Sequence, residues 1–372
     1  MSTQVQIKKS IYIRKGPGRS FDKIGVADPS GKILVMDGME AGENWKGLSN
    51  WYYKINDKQE KQFYWEGGLI IGNSNDLPVS QDDVKAFLNS ARFPPEMINW
   101  NNKLIKFPAQ LKNNKGKGIK IAVLDTGIDA THLDLSKNII SIEDFTNADD
   151  GPKDMIGHGS AMASLIGAFG FFSDKGISGI ASLSGLVSAK VMYDKNDPQD
   201  FLSVGRGIDS VVAKNVDIIN MSIGRDTDVQ QVKDKISNAT KTIFVASAKQ
   251  FSNTSPEQLL QFPSKCPEVI PVVALDKDYT TKNWDRLPAP LLIIPYFDAW
   301  SCNIKDNNYY QQEEGSSVAT AIISGLIALI LSDNPSVKRN KQAILSELDK
   351  YSSTIEEAFK NPGQELHFIY KK

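Results

Sequence analysis

Cysteine is scarce in this chain of 372 residues, since Cys266 and Cys302 are the only two. Two cysteines cannot build the disulfide framework that holds small secreted domains together. An excess of either charge is also absent, because 43 basic residues stand against 44 acidic ones. A balanced charge gives no general attraction to nucleic acid or to an anionic membrane, so we expect neither as a partner.

Long apolar stretches are missing as well. No run of about 18 uninterrupted apolar residues occurs, and such a run is the usual sign of a membrane span. The first residues, "MSTQVQIKKSIYIRKG", lack the apolar central region of a secretory signal. Together these absences predict a cytoplasmic protein that does not act at a membrane.

The chain contains regions of two different patterns. Residues 1–72 are rich in aromatic residues and consist of short β-rich runs between turn residues, which predicts a small β-barrel binding module. Residues 73–98 read as a linker and a short helix. From about residue 115 onward, apolar strands such as "IKIAVLD" and "VDIINMSIG" alternate with helical stretches. That alternation predicts an α/β fold, with a doubly wound, mostly parallel sheet and helices on both faces.

The first region resembles bacterial Src-homology-three-type barrels in three fragments, "YIRKGPGRSFDKIG", "NWYYKI" and "FYWEGGL". The resemblance implies a module that binds a peptide, a protein or a cell-wall fragment. We interpret it as an aid to substrate choice. The alternative is a generic β domain tethered to an enzyme.

Histidine is scarce too, which shortens the search for a general base to His132, His158 and His367. His158 stands between two glycines in "MIGHGSAMASLIGAFG", at the start of a small-residue helix, and glycines let other backbone segments come close. Asp125 ends the apolar strand of "GKGIKIAVLDTGID". A side chain at that end of a parallel strand projects into the crevice where such sheets bind ligands.

Two serines begin the very apolar helix of "EEGSSVATAIISGLIALIL". Serine is a common helix cap, but a serine at a helix N-terminus also lies in a positive field that favours the oxyanions of acyl transfer. The chain therefore presents an aspartate, a histidine and a serine in that order. In such a set the aspartate fixes the tautomer of the histidine, which takes a proton from the serine hydroxyl.

Five segments between roughly residues 115 and 335 resemble the motifs of the subtilisin-type serine proteases, the subtilases. They are "AVLDTGIDATHLDL", "GHGSAMASLIGA", "GIDSVVAKNVDIINMSIG", "FPSKCPEVIPVVALD" and "GSSVATAIISGLIALI". The resemblance implies a protease domain over residues 99–372. It also implies a serine endopeptidase that hydrolyses peptide bonds of a protein or peptide substrate through an acyl-enzyme. Asp125, His158 and Ser317 would be its catalytic residues.

Within that resemblance, the nucleophile is the second residue after Gly315, which makes it Ser317 rather than Ser316. One edge of the substrate groove would be formed by Ser222, Ile223 and Gly224. An extended peptide would add there as a strand, held by main-chain hydrogen bonds.

The opposite edge departs from the family pattern of Ala-Ala-Gly-Asn, because this chain reads Ala248-Lys249-Gln250. Gln250 would supply the oxyanion-binding amide on a stem one methylene longer, with Asn253 as the alternative donor. Lys249 stands beside the pocket for the residue before the cut. Its side chain could fill that pocket, pair with an acidic substrate residue, or face water.

Three interpretations follow from these departures. The first is an active protease. The second is a subtilase-shaped pseudoprotease that binds peptides with a weakened oxyanion hole. The third is a scaffold whose function lies in the barrel. The retained aspartate, histidine and serine favour the first.

We expect no cofactor and no metal, although the resemblance allows calcium. A metal site built from His132, Asp134 and His158 is not favoured, because their spacing fits no common ligand cluster.

Overall fold

The computed structural model describes residues 109–146, 151–170, 176–193, 201–249, 258–275, 286–295, 297–304, 310–360 and 366–372. Between residues 3 and 72 it describes the backbone of strands β1 (Thr3–Ile7), β2 (Ile11–Arg14), β3 (Lys23–Ala27), β4 (Ile33–Met36), β5 (Gly38–Trp45), β6 (Leu48–Ile55), β7 (Lys61–Trp65) and β8 (Leu69–Gly72).

These first strands form two antiparallel sheets, in the orders β4-β1-β8 and β3-β2-β7-β6-β5. Closure into a barrel depends on segments outside the described residues, so the barrel stays a prediction. The linker and short helix predicted for residues 73–98 also lie outside the described residues.

The later strands are β9 (Lys120–Asp125), β10 (Ile139–Asp144), β11 (Gly185–Lys190), β12 (Ile218–Met221), β13 (Ile243–Ser247), β14 (Val269–Ala274), β15 (Leu291–Ile294), β16 (Ala299–Cys302), β17 (Tyr310–Glu313) and β18 (Ile369–Lys371). Eight of them form one sheet in the order β10-β11-β9-β12-β13-β14-β15-β18. All neighbours in that sheet are parallel except β15 and β18. The predicted mostly parallel sheet is confirmed. Strands β16 and β17 form a separate antiparallel pair.

The helices are α1 (Ala109–Asn114), α2 (Leu133–Ser136), α3 (His158–Gly167), α4 (Phe201–Ala213), α5 (Gln230–Asn238), α6 (Ser316–Asp333), α7 (Lys341–Asp349) and α8 (Ile355–Ala358). They cover both faces of the sheet, as the side chains of β9 show, because successive residues of that strand pack into different cores. Ile121 and Val123 pack into the core that contains α3 and α6, whereas Ala122 and Leu124 pack into the core that contains α4 and α5. Successive side chains of a strand point to opposite faces, so each strand needs apolar residues on both.

Helix α6 is the central helix of the larger core. By length and composition it could cross a membrane, but 83% of that 18-residue window is buried inside the protein. It packs against β12, β13, β14 and α3. At Gly325 a Cβ atom would lie 2.6 Å from the Cβ of Ile180, so glycine permits the close approach there. Because α6 is buried on nearly all sides, its sequence is apolar on every face of the helix.

Truncation of Leu326 in α6 should destabilise the fold strongly, because this side chain is fully buried in the larger core. We expect Leu326→Ala to lower the free energy of unfolding by about 2 to 5 kcal/mol. Leu202→Ala is the matched control, since Leu202 is 47% exposed, and should cost about 0.5 kcal/mol or less. Urea unfolding of the two variants checks this, and equal losses would contradict the assignment of α6 as the core helix.

Candidate active site

Asp125 is the last residue of β9, at the carboxyl edge of the sheet and near its middle. From β9 the chain first adds β10 and β11 on one side and then β12 on the other side. Such a change of direction leaves a crevice outside the carboxyl ends of the strands, where open α/β sheets bind ligands. The Asp125 carboxylate is fully buried at the base of this crevice.

His158 is the first residue of α3, and its ring meets Asp125. The distance from His158 Nδ1 to Asp125 Oδ1 is 2.7 Å. The same oxygen accepts the backbone N–H of Thr126 at 2.8 Å, while Asp125 Oδ2 has no hydrogen-bond partner among the described residues. An ionised carboxylate only accepts, so Nδ1 carries the proton and Nε2 is the ring nitrogen that can accept another.

The charge environment of His158 favours its protonated form. Burial lowers the pKa of His158, but the carboxylates of Asp125, Glu313 and Asp154 outweigh that effect and raise the pKa to about 9. Asp125 has the largest influence of the three, through both charge and hydrogen bonding. An imidazolium formed during a proton transfer would therefore be stabilised here.

The two serines that begin α6 have different surroundings. Ser316 is buried, and its hydroxyl oxygen accepts the backbone N–H of Ala274 at 3.1 Å. Ser317 and Ser222 bond reciprocally, since the Ser317 hydroxyl donates to the Ser222 carbonyl at 3.3 Å and the Ser222 hydroxyl donates to the Ser317 carbonyl at 3.1 Å. A serine hydroxyl has one proton, so donation to His158 requires the O–H bond of Ser317 to turn away from the Ser222 carbonyl.

A cleft of about 640 Å³ brings the predicted site residues together. His158 and Ser317 line it, and so do all the residues predicted for the groove, which are Ser222, Ile223, Gly224, Ala248 and Lys249. Asp125 lies behind His158 through their hydrogen bond. The predicted oxyanion donor Gln250 and its alternative Asn253 lie outside the described residues.

Sequence reasoning missed several residues that line the cleft, and two of them, Asp226 and Gln261, make contacts within it. Asp226 forms an ion pair with the ammonium of Lys249, which joins the two walls. The carboxamide of Gln261 lies over Gly224, where a Cβ atom would come within 2.0 Å of Gln261 Nε2. Asp226 lies two residues after Gly224, the last residue predicted for the groove, so its place in the sequence could have identified it as part of the cleft. Gln261 is far from the predicted groove residues in the sequence, and only the fold brings it to the cleft.

The other two histidines do not line the cleft. His367 is buried, and its Nδ1 lies 2.9 Å from the Ser353 hydroxyl. His132 Nδ1 lies 3.4 Å from the Cys302 sulfur and accepts the backbone N–H of Asp134 at 3.2 Å. His158 is therefore the histidine positioned to act on a molecule bound in the cleft.

Among the residues the structure describes, one group of metal-ligand type gathers, made of His132, Asp134 and Cys302. Nitrogen and sulfur donors do not suit calcium, which takes six to eight oxygen ligands. Asp134 already accepts the Tyr310 hydroxyl and the backbone N–H of Ile177. Burial raises the pKa of the Cys302 thiol, which keeps it a hydrogen-bond donor. The group is a buried hydrogen-bonded network that does not fit calcium, and it does not include His158.

Comparisons with known proteins show which family the chain resembles. The chain is 32% identical over 262 residues to the "Major intracellular serine protease" of Bacillus subtilis (strain 168), covering 68% of this chain and 80% of that protein. It is 30% identical over 262 residues to the "Intracellular serine protease" of Paenibacillus polymyxa, covering 68% of this chain and 78% of that protein. The solved structure of Sphericase matches with a TM-score of 0.53 at 23% identity, over 66% of this chain and 90% of that one, which shows the fold.

The protein is thus a serine protease, a hydrolase of peptide bonds with a parallel α/β fold. It belongs to the Subtilase family, whose family model matches residues 116–364.

The raised pKa of His158 can be measured directly, because the chain has only three histidines. We expect NMR titration to give His158 a pKa of about 9, and Glu313→Gln to lower it by removing one of the carboxylates. Glu347→Gln is the control, since Glu347 pairs with Lys350 and does not influence His158. A His158 pKa near 6.5 that does not change in Glu313→Gln would contradict this electrostatic account.

Proposed function

We propose that this protein is a serine endopeptidase in which Asp125, His158 and Ser317 form the catalytic triad. The observation that carries the proposal is the Asp125–His158 hydrogen bond of 2.7 Å beside a cleft that Ser317 also lines. Membership of a serine protease family supports the same chemistry.

In this mechanism, Ser317 Oγ attacks the carbonyl carbon of the scissile peptide bond while His158 Nε2 takes the hydroxyl proton. Asp125 stabilises the imidazolium that results. The tetrahedral intermediate collapses, the carbon–nitrogen bond breaks, and His158 gives its proton to the leaving amine. Water then attacks the acyl-enzyme with His158 as base, which releases the second product and restores Ser317.

The oxyanion of the intermediate needs hydrogen-bond donors. The first N–H groups of α6 have no partners within the helix and carry the positive end of its dipole, so the backbone N–H of Ser317 is one donor. The second donor is the side chain of Gln250, with Asn253 as the alternative. The substrate is a protein or peptide whose extended backbone pairs with Ser222, Ile223 and Gly224.

Two finer assignments belong with this proposal. The strands of residues 1–72 form a binding module for a peptide or protein ligand and aid substrate choice. The site of action is the cytoplasm, which the names of the two intracellular relatives support.

A peptide-binding pseudoprotease is the second candidate. The hydrogen bond from Ser317 to Ser222 favours it, because that bond occupies the proton that His158 would have to take. Catalytic hydrogen bonds often tighten only when substrate is bound, so we prefer the active enzyme.

Labelling with a fluorophosphonate probe tests the nucleophile. Ser317→Ala should abolish labelling, because it removes the hydroxyl of the proposed nucleophile. Ser316→Ala should retain labelling, since the Ser316 hydroxyl is buried against Ala274. The reverse pattern would reassign the nucleophile, and an unlabelled wild-type chain would favour the pseudoprotease.

The Lys249–Asp226 ion pair should set the preference for the substrate residue before the cut. Lys249 is partly exposed and Asp226 is largely exposed, and ion pairs of that kind contribute about 1 kcal/mol or less. An acidic substrate residue can therefore compete with Asp226 for Lys249. We expect peptide-library profiling to show acidic or small residues preferred over large apolar ones.

Two variants separate the contributions to that preference. Asp226→Asn should strengthen the acidic preference by about fivefold or less, because it removes the competing carboxylate. Lys249→Gly should shift the preference to large apolar residues. A wild-type preference for large apolar residues that survives in Lys249→Gly would rule this role out.

A further inference from the structure

The start of α3 lacks a cap of its own. Its N-cap residue is Gly157, which has a φ of 100° and no side chain to accept a hydrogen bond. Backbone N–H groups at a helix start need acceptors from elsewhere when they are buried. The orientation of His158, the first residue of this helix, depends on whatever supplies those acceptors.

Asp154 supplies acceptors for the loop before the helix and for one residue of its first turn. Its Oδ1 accepts the backbone N–H groups of Ile156 at 3.0 Å and Gly157 at 2.8 Å. Its Oδ2 accepts both the backbone N–H and the hydroxyl of Ser160, at 2.8 and 2.7 Å. The Asp154 side chain, only 1% exposed, thus ties the loop before His158 to the first turn of α3.

A fifth hydrogen bond joins Asp154 to the strand that carries Asp125. The Thr126 hydroxyl donates to Asp154 Oδ1 at 2.9 Å and accepts the backbone N–H of Gly159 at 2.9 Å. Thr126 also donates its backbone N–H to Asp125 Oδ1, the oxygen that contacts His158. One buried carboxylate therefore holds the neighbours of both residues.

The backbones meet closely at this point. A Cβ atom at Gly159 would lie 2.1 Å from the carbonyl oxygen of Gly127. At Gly127, which has a φ of 105°, it would lie 2.9 Å from the backbone nitrogen of Asp154. Glycines at both places let the two loops touch, so a small shift at Asp154 passes directly to His158.

The Asp125 carboxylate makes few hydrogen bonds of its own. Asp125 Oδ2 has no hydrogen-bond partner among the described residues, so one oxygen makes both of its hydrogen bonds. The partners in those two hydrogen bonds are Thr126 and His158, and Asp154 joins the two segments in which these residues lie. Among the described residues, five hydrogen-bond donors point at the two carboxylate oxygens of Asp154.

We propose that Asp154 is a positioning residue of the protease, which holds His158 against Asp125 through the Thr126 hydroxyl and the first turn of α3. This inference rests on the catalytic role proposed for Asp125 and His158. Asp154 does not line the cleft, so it acts through these neighbours rather than on the substrate.

The Thr126 hydroxyl offers a matched pair of variants. Thr126→Val keeps the shape of the side chain but removes both of its hydrogen bonds, whereas Thr126→Ser keeps the hydroxyl. We expect Thr126→Val to lower kcat by about 100-fold with KM little changed, because a displacement of about 1 Å in a catalytic group costs that much. Thr126→Ser should recover the rate to within about threefold.

Asp154→Asn tests the carboxylate itself. Its amide nitrogen would face N–H and O–H donors in place of an accepting oxygen, so kcat should fall at least as far as in Thr126→Val. Loss of the charge should also lower the pKa of His158, measured by NMR. Both variants leave unchanged the other charged groups that face this part of the structure, which are Asp125, Asp129, Lys153, Lys190 and Glu313.

A separate sample of each variant is labelled to completion with a fluorophosphonate probe, which counts the active sites. Rates measured on unlabelled protein are then divided by that number, so that misfolded protein does not contribute. Loss of kcat in Thr126→Val with recovery in Thr126→Ser supports the positioning role. Unchanged kcat in Thr126→Val, or equal losses in both Thr126 variants, overturns it while the proposed function stands. Absence of labelling in the wild-type chain would overturn the proposed function instead.

Discussion

The hydrogen bond between Asp125 and His158 is the contact on which the site depends, because it joins the end of a central strand to the start of a helix. The strand and the helix lie in different layers of the fold, and a distance of 2.7 Å between their side chains requires both to be held firmly. The buried parallel sheet fixes Asp125. The packing of helix α3 against the sheet and against α6 fixes His158.

The same contact sets the electrostatics of the cleft. A buried carboxylate behind the ring makes Nδ1 the protonated nitrogen and leaves Nε2 to face a proton donor. Glu313 and Asp154 add negative charge nearby and raise the pKa of His158 further. Acyl transfer from a serine requires a neutral His158 that gains a proton during reaction, so with a pKa of about 9 the fraction of His158 able to act as base rises as the pH approaches 9.

Much of this site could be predicted from the sequence, for a physical reason. Asp125, His158 and Ser317 each lie where a regular element begins or ends, and the pattern of apolar residues reveals such places. Contacts between distant loops leave no comparable pattern. The Lys249–Asp226 pair, the position of Gln261 and the contact of His132 with Cys302, 170 residues away, all depend on how the loops meet in three dimensions.

The central claim is that Ser317 Oγ and His158 Nε2 act on one carbonyl group. A crystal structure after reaction with a peptidyl chloromethyl ketone tests it most directly, because that reagent bonds to a nucleophile and a base only when both reach it. We predict a bond from Ser317 Oγ to the ketone carbon and a second bond from His158 Nε2 to the methylene carbon. A reagent bound in the cleft without either bond, or attached to another side chain, would contradict the claim.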